Sequence, residues 1–295
     1  MMMIGNLIVR KLATYIPRTV VIGGHPLALP AGHRLDWYRF CHRRLDEPVT
    51  ELCTLLLKKY PKLFAVDIGA NVGGTAAMMA TSAQVSILCV EGNPAYLPKL
   101  RANLGRISPS SEIEPSYVWI DDDAQAGHVE TSAGTASISL NGDAPHNSEA
   151  IRFRSLAGIL SEHPRFQNAR LFKIDTDGMD AKIIMASSDL LAKVRPIIFM
   201  EYLPIGPIAV ERECRAMIER LRQLDYTQFH VFDNSGNHML RLSGSETHHL
   251  HTLNAYVRSS RMDLKPAVYY YDICAMTEDD RDISEMLLHQ YLTAA

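Results

Sequence analysis

A chain of 295 residues, 47% of them hydrophobic, can bury one large core, and 30 basic against 33 acidic residues leave a formal charge of −3. That balance removes the electrostatic case for nucleic acid as a partner, and no run approaches the roughly 18 apolar residues of a membrane span. Five cysteines (Cys41, Cys53, Cys89, Cys214 and Cys274), with no C-x-x-C pair, point to free thiols rather than a disulfide frame or a zinc site. The apolar stretch near Leu7 is short and broken by Arg10 and Lys11, so no secretory signal is read and a cytoplasmic location is expected.

In residues 3–15, Ile4, Leu7, Ile8, Leu12 and Tyr15 fall at helical spacing. The small apolar face lacks a basic cluster. This favours a helix packed on its own domain or on a second subunit over one lying on a membrane. Residues 19–29 read as a hairpin turning at Gly23-Gly24. Helices are expected near 36–44 and 48–60, with Pro48 suited to a first turn. Residues 1–60 are therefore read as an N-terminal extension, and 61–295 as the main domain.

The most informative stretch follows: Val66-Asp67-Ile68-Gly69-Ala70-Asn71-Val72-Gly73-Gly74. It reads as a buried strand, a glycine turn and the start of a helix. Gly69 lets a ligand approach the main chain, and the helix opening near Gly73 offers free N–H groups and a positive dipole end. Such a loop holds a small polar molecule at the carboxyl edge of a parallel sheet. The nicotinamide fingerprint G-x-G-x-x-G fails, because Asn71 replaces its second glycine. Asp67 would repel a pyrophosphate but suits a cationic ligand. Glu91 ends the next apolar run, 85–90, and is placed to take both hydroxyls of a ribose. S-adenosylmethionine, a cationic zwitterion carrying a ribose, satisfies both acids. The plainer alternative is a generic doubly wound fold with a solvated Asp67 and a capping Glu91.

Asp67-x-Gly69-x-Asn71-x-Gly73-Gly74 and Glu91-Gly92-Asn93-Pro94 resemble the first two motifs of class I S-adenosylmethionine-dependent methyltransferases. Leu171-Phe172-Lys173-Ile174-Asp175-Thr176-Asp177-Gly178-Met179-Asp180 resembles the K-I-D-x-D-G-x-E motif of the FkbM family. Residues 195–201 resemble that family's next strand, which ends in an acid, and Tyr270-Tyr271-Asp272-Ile273 its usual last strand. The similarity runs from about residue 64 to 202. Two positions depart from it. Asp180 stands where the family usually has Glu, and Arg154-Ser155-Leu156-Ala157-Gly158 where it often shows T-L-D-D.

The resemblance implies an α/β fold: a doubly wound, mostly parallel seven-stranded sheet with an antiparallel C-terminal strand. It implies an extension that covers the cofactor or shapes the acceptor pocket. It implies methyl transfer to a hydroxyl of a sugar, glycan or secondary metabolite. Asp67, Gly69, Asn71 and Gly73 would hold the methionine part of S-adenosyl-L-methionine and Glu91 the ribose, with Asn93 in the same cofactor set.

The rest of the chain alternates helix and strand, as a parallel sheet with right-handed crossovers requires. A helix is expected over 95–104 and a third strand near 117–120. That strand leads into Asp121-Asp122-Asp123, where Asp121 and Asp122 are candidates for the adenine amino group. Residues 127–154 are short, polar and β-like, a candidate lid. On it, His146 is the one histidine worth testing as a base. The fourth strand, 171–174, delivers Asp175, and the fifth, 197–200, delivers Glu201. The tail, with strands near 227–232, 238–242 and 268–274, suits an antiparallel ending.

A hydroxyl acceptor needs its proton removed as it attacks. Asp175 and Asp177 are best placed for that, with a helix N-cap as the structural alternative for Asp177, and Glu201 completes the acidic cluster. Three such carboxylates suit a hard cation such as Mg²⁺, though no further ligand pattern supports one. His248, His249 and His251 are expected to diverge around a helix, which argues against joint metal binding. The expected partners are a small-molecule or glycan acceptor, with a homodimer left open. Two competing functions are kept: a nicotinamide-dependent dehydrogenase, and a cofactor-binding protein that has lost turnover.

Overall fold

The computed structural model describes residues 15–119, 128–132, 135–139, 152–205, 207–260 and 268–293. Asp121, Asp122, His146 and almost all of the helix expected over 3–15 lie outside the described residues.

The hairpin expected at the start is present as β1 (Arg18–Ile22) and β2 (His25–Leu29), paired antiparallel. Helices Leu35–Cys41 and Glu47–Lys59 follow. The main sheet begins with β3 (Leu63–Ile68), β4 (Val85–Val90) and β5 (Glu112–Glu114). Next come β6 (Tyr117–Trp119), β7 (His128–Ser132), β8 (Thr135–Ser139) and β9 (Phe153–Ser155). The chain returns to the main sheet with β10 (Leu171–Ile174), β11 (Ile197–Tyr202), β12 (Tyr226–Asp233), β13 (His238–Ser243) and β14 (Tyr271–Thr277).

Eight strands share this sheet, in the order β13-β12-β14-β11-β10-β3-β4-β5. The five from β11 to β5 are parallel, and β12, β13 and β14 are antiparallel to their neighbours. The resemblance implies seven strands; the eight here include β13, present as expected near 238–242, which folds back on β12 through a turn where Gly236 sits at φ 82° and so extends the antiparallel edge. The expected third strand is also corrected. Glu112–Glu114 pairs with β4, whereas Tyr117–Trp119 leaves the sheet and pairs in parallel with β9. The chain leaves over Gly92, where a Cβ would lie 2.2 Å from the Tyr117 ring. Tyr117 therefore closes over the end of β4 instead of extending β5.

β4 is buried at all six positions, as a central parallel strand covered on both faces must be. Alternate residues serve two cores. Val66, Ile68, Phe172 and Ile198 face one side, with helices Leu156–Glu162, Asp180–Ala186 and Ile208–Gln223. Ala65, Ile87, Leu171 and Phe199 face the other. That second side is covered by helices Glu47–Lys59, Gly74–Met79, Leu97–Ile107 and Arg281–Thr293.

Residues before 60 enter this second core directly, through Leu52, Cys53 and Leu56. Buried Asn103 fastens the hairpin: its Oδ1 accepts from the Ala28 N–H at 2.8 Å, and its Nδ2 donates to the Ala28 and Val72 carbonyls at 3.1 and 2.8 Å. One amide thus joins β2, the glycine loop and helix Leu97–Ile107. All five cysteines are free, four of them buried. No helix of the described residues is long and apolar enough to cross a membrane.

Candidate active site

The chain runs from β3 outward to β5, then returns to place β10 on the other side of β3. A crevice opens where strand order reverses in this way. There, at the carboxyl ends of β3, β4, β10 and β11, lies a cavity of about 440 Å³, large enough for a cofactor-sized ligand.

Gly69 fixes the crevice. Its φ is 83°, and a Cβ would fall 1.9 Å from the Asp175 carbonyl oxygen, so the loops after β3 and β10 touch backbone to backbone. Asn71 follows, also left-handed at φ 52°. Its N–H donates to Glu91 Oε2 at 2.7 Å, and the Asn93 N–H donates to Glu91 Oε1 at 2.7 Å. Each carboxylate oxygen thus takes one N–H and has capacity to accept another hydrogen bond, and Glu91 lines the cavity. Burial pushes this carboxyl up to about 7, against the two N–H bonds that favour its charged form.

His33, from the segment after the hairpin, lies 2.9 Å through Nε2 from Asn71 Oδ1, and the Leu35 N–H donates to its Nδ1 at 3.3 Å. That pattern puts the ring proton on Nε2. Burial holds the imidazole below its usual pKa, hence neutral. Tyr96 meets His33 edge-on and lines the same cavity.

Three expected cofactor residues stand back from the cavity wall. Gly73, at φ 90°, precedes helix Gly74–Met79 and faces Leu100. Buried Asn93 turns the chain, its Oδ1 accepting from the Ala95 N–H. Asp67 is fully buried beneath the floor, with Lys173 Nζ 3.6 Å from its Oδ1. Lys173 also donates to Asp175 Oδ2 at 3.1 Å and does line the cavity. Burial pushes Asp67 up to about 6, with Lys173 opposing. Burial alone would lower the Lys173 pKa, but Asp175, Asp67 and Asp46 together outweigh it and hold the ammonium charged.

At the other end, Asp175 is half-exposed and Asp177 sits at φ 52° on the cavity wall. Asp177 does not cap the following helix, since the cap position of Asp180–Ala186 is Met179. Asp180, where the family usually has Glu, stays inside: its Oδ2 accepts from the Thr176 hydroxyl at 2.9 Å and N–H at 3.3 Å, which closes the loop on itself. Glu201 lines the cavity and stands in register with Asp272 on β14. Burial, reinforced by neighbouring carboxylates, pushes both well above the usual range. Asp46, at φ 61° just before helix Glu47–Lys59, adds a further carboxylate to the wall.

The segment at 154–158 is a helix start: Ser155 Oγ accepts from the Gly158 N–H at 3.0 Å. The sequence matches the family described as Methyltransferase FkbM domain over residues 67–240. The chain belongs to the FkbM methyltransferase family. No curated protein matches it significantly in sequence. Among solved structures, the cofactor-bound Rv0187 from MTB is 11% identical with a TM-score of 0.43, over 93% of this chain and 89% of that one. The O-methyltransferase from Bacillus cereus in complex with SAH is 9% identical with a TM-score of 0.42, over 77% and 80%. The FkbM methyltransferase from Methylobacillus flagellatus KT is 12% identical with a TM-score of 0.37, over 55% and 36%.

In this methyltransferase, motif reading found Gly69, Asn71, Glu91, Asp175, Asp177 and Glu201 on one cavity. It missed His33, Asp46 and the role of Lys173. The lysine carried a signal, the K of K-I-D, but its partner Asp67 is set by cross-strand register. Among the described residues no group of three or more His, Cys, Asp or Glu side chains is arranged to hold a metal. His248 and His249 do not diverge: they lie in the short helix Gly244–His249, capped by Ser243 and Glu246, with ring centroids 4.1 Å apart.

Proposed function

We propose that this methyltransferase transfers the methyl group of S-adenosylmethionine to a hydroxyl of a small-molecule or glycan acceptor, a sugar or a secondary metabolite. The observation that carries the cofactor is Glu91. It is a buried carboxylate at the tip of the second parallel strand, held at both oxygens by backbone N–H groups, with lone pairs left for two vicinal hydroxyls. Gly69 leaves the main chain open to the methionine part, and His33 holds Asn71 in its left-handed turn. Asp67 acts one layer back, through Lys173. The Asn71 N–H is committed to Glu91, which weighs against a loop built for pyrophosphate.

Bound there, S-adenosylmethionine supplies a methyl already activated on a sulfonium, so no acid is needed for the leaving group. The chain's task is to hold the acceptor hydroxyl, exclude water and take its proton. Asp175 is the residue for that proton: it is open to the cavity and is oriented by Lys173. Asp177 and Glu201 flank it as acceptor-binding groups. Residues 15–60 act as an extension that completes the wall through His33 and Asp46. The free thiols suit a reducing, cytoplasmic setting.

Calorimetric titration with S-adenosylmethionine and with its demethylated product tests this reading, on wild type and on Glu91→Ala. Saturable binding, weakened at least about tenfold in the variant, is expected. A folded wild type that binds neither compound overturns it.

A further inference from the structure

The cavity is not electrically uniform. Around Asp175 gather the carboxylates of Asp46 and Glu201 on the wall and of Asp272 just behind it. Glu201 and Asp272 are pushed above the ordinary carboxyl range first by burial and then by neighbouring acids, whereas Asp46 is raised by burial against the opposing pull of Lys173 and Arg39. Among the described residues the one lysine or arginine on the cavity wall is Lys173, and it is already committed to Asp175 and Asp67 at 3.1 and 3.6 Å. Arg39, which is not part of the cavity lining, lies 3.5 Å from Asp46. Glu201 and Asp272 have no hydrogen bond or ion pair among the described residues, although Glu201 faces the cavity.

Aromatic rings complete this end. Tyr269 and Tyr270 line the cavity, and the Tyr270 hydroxyl feels Asp272, Asp175, Glu201 and Asp46 together. Tyr269 is held by its N–H donating to Asn234 Oδ1 at 3.1 Å and meets the His42 ring edge-on. A cavity carboxylate with no ion pair among the described residues, Glu201, and tyrosine rings are the two kinds of group that bind a cation, by charge-assisted hydrogen bonds and by the ring quadrupole.

We infer that this end of the cavity is built for an acceptor that carries a protonated amine near the hydroxyl to be methylated, as in an amino sugar or amino alcohol, and that it rejects acceptors bearing phosphate or carboxylate. The inference rests on the methyltransferase reading above and names its acceptor class. An ammonium would donate to Glu201 and relieve its repulsion from Asp175 and Asp272, with Asp46 lining the same cavity. An anion would meet like charge at the same place. The cofactor does not account for these acids. Asp177 is the acid of the β10 loop that Glu91 feels, whereas Asp46, Glu201 and Asp272 cluster around Asp175.

The test uses the full chain saturated with S-adenosylmethionine, whose own binding is read first by calorimetry, so failure of the cofactor reading shows separately. Three probes are then titrated at pH 6.5: glucosamine, N-acetylglucosamine and glucose 6-phosphate. Glucosamine is expected to bind at least tenfold more tightly than the other two. Glu201→Gln should erase most of that preference while leaving S-adenosylmethionine affinity within about twofold. Asp46→Asn is the second variant, in case the first does not fold. Equal affinity for glucosamine and its N-acetyl form, preference for the phosphate, or no binding of any probe by the cofactor-loaded protein overturns the inference.

Discussion

The two ends of the cavity are built on opposite principles. At the glycine-loop end, Glu91 takes a backbone N–H on each oxygen and Asn71 is held from both its N–H and its side chain. At the β10–β11–β14 end, Glu201 and Asp272 face each other without hydrogen-bond partners among the described residues. The first end is ordered before any ligand arrives, so binding there loses little freedom. The second holds unrelieved repulsion that a ligand of the right charge would remove. Lys173, between them, is the hinge of the contrast, since it ties the buried acid Asp67 to the half-exposed Asp175.

The largest expected effect comes from removing that tie. Lys173→Met leaves Asp67 buried without its counter-charge and should cost about 3–5 kcal/mol of stability in urea unfolding. Asp67 already has its pKa raised to about 6, and losing the lysine raises it further. The loss should therefore be greatest at alkaline pH and shrink as pH falls from the variant's higher pKa toward 6, where Asp67 takes up a proton with or without the lysine. A pH-independent loss would show that the pair is not what Lys173 serves.

Gly69→Ala should follow, at roughly 2–4 kcal/mol, because the methyl meets the Asp175 carbonyl and the left-handed backbone disfavours it. Cofactor affinity should fall with it, whereas a variant that keeps wild-type stability and affinity would deny that the loops touch.

Glu91 gives a smaller, pH-coded effect. Its carboxyl is raised to about 7, so its stabilising proton is present below the ordinary carboxyl range and is lost as pH rises through 7. Ligand-free stability should decline from pH 5 to 8 less steeply in Glu91→Gln. Affinity for S-adenosylmethionine in the wild type should instead climb over the same interval as the carboxylate ionises to accept the ribose hydroxyls. A flat wild-type affinity profile would remove Glu91 from the ribose site. The smallest change is His33→Ala, which frees Asn71 and should weaken cofactor binding about three- to tenfold, or roughly 0.7–1.4 kcal/mol, with little loss of stability.

The contrast also explains what was legible in the sequence. The ordered end is local: Gly69, Asn71 and Glu91 sit at the ends of two consecutive apolar runs, and adjacent parallel strands bring such ends together. Asp175 and Glu201 could be read for the same reason. The Lys173–Asp67 pair could not, because it depends on the register between strands separated by about a hundred residues. His33 and Asp46 escaped because they precede the first strand and carry no motif. The edge of the sheet misled for a different reason. Glu112-Ile113-Glu114 is three residues long with charged ends, too short for a period, while the apolar Tyr117–Trp119 beside it is a strand that pairs with β9 outside the main sheet and lines the cavity through Tyr117 and Val118.

Asn103 has a consequence for how the protein is made. Its side chain bonds Ala28, 75 residues earlier in the chain, and Val72 in the glycine loop. On the ribosome the hairpin is therefore complete long before its anchor exists, by roughly 4–15 s at about 5–20 residues per second. Until residue 103 emerges, neither the hairpin nor the Val72 carbonyl has this partner. The glycine loop thus acquires its brace at Val72 from a residue synthesised 31 positions later, and its contact at Gly69 only once Asp175 has been made.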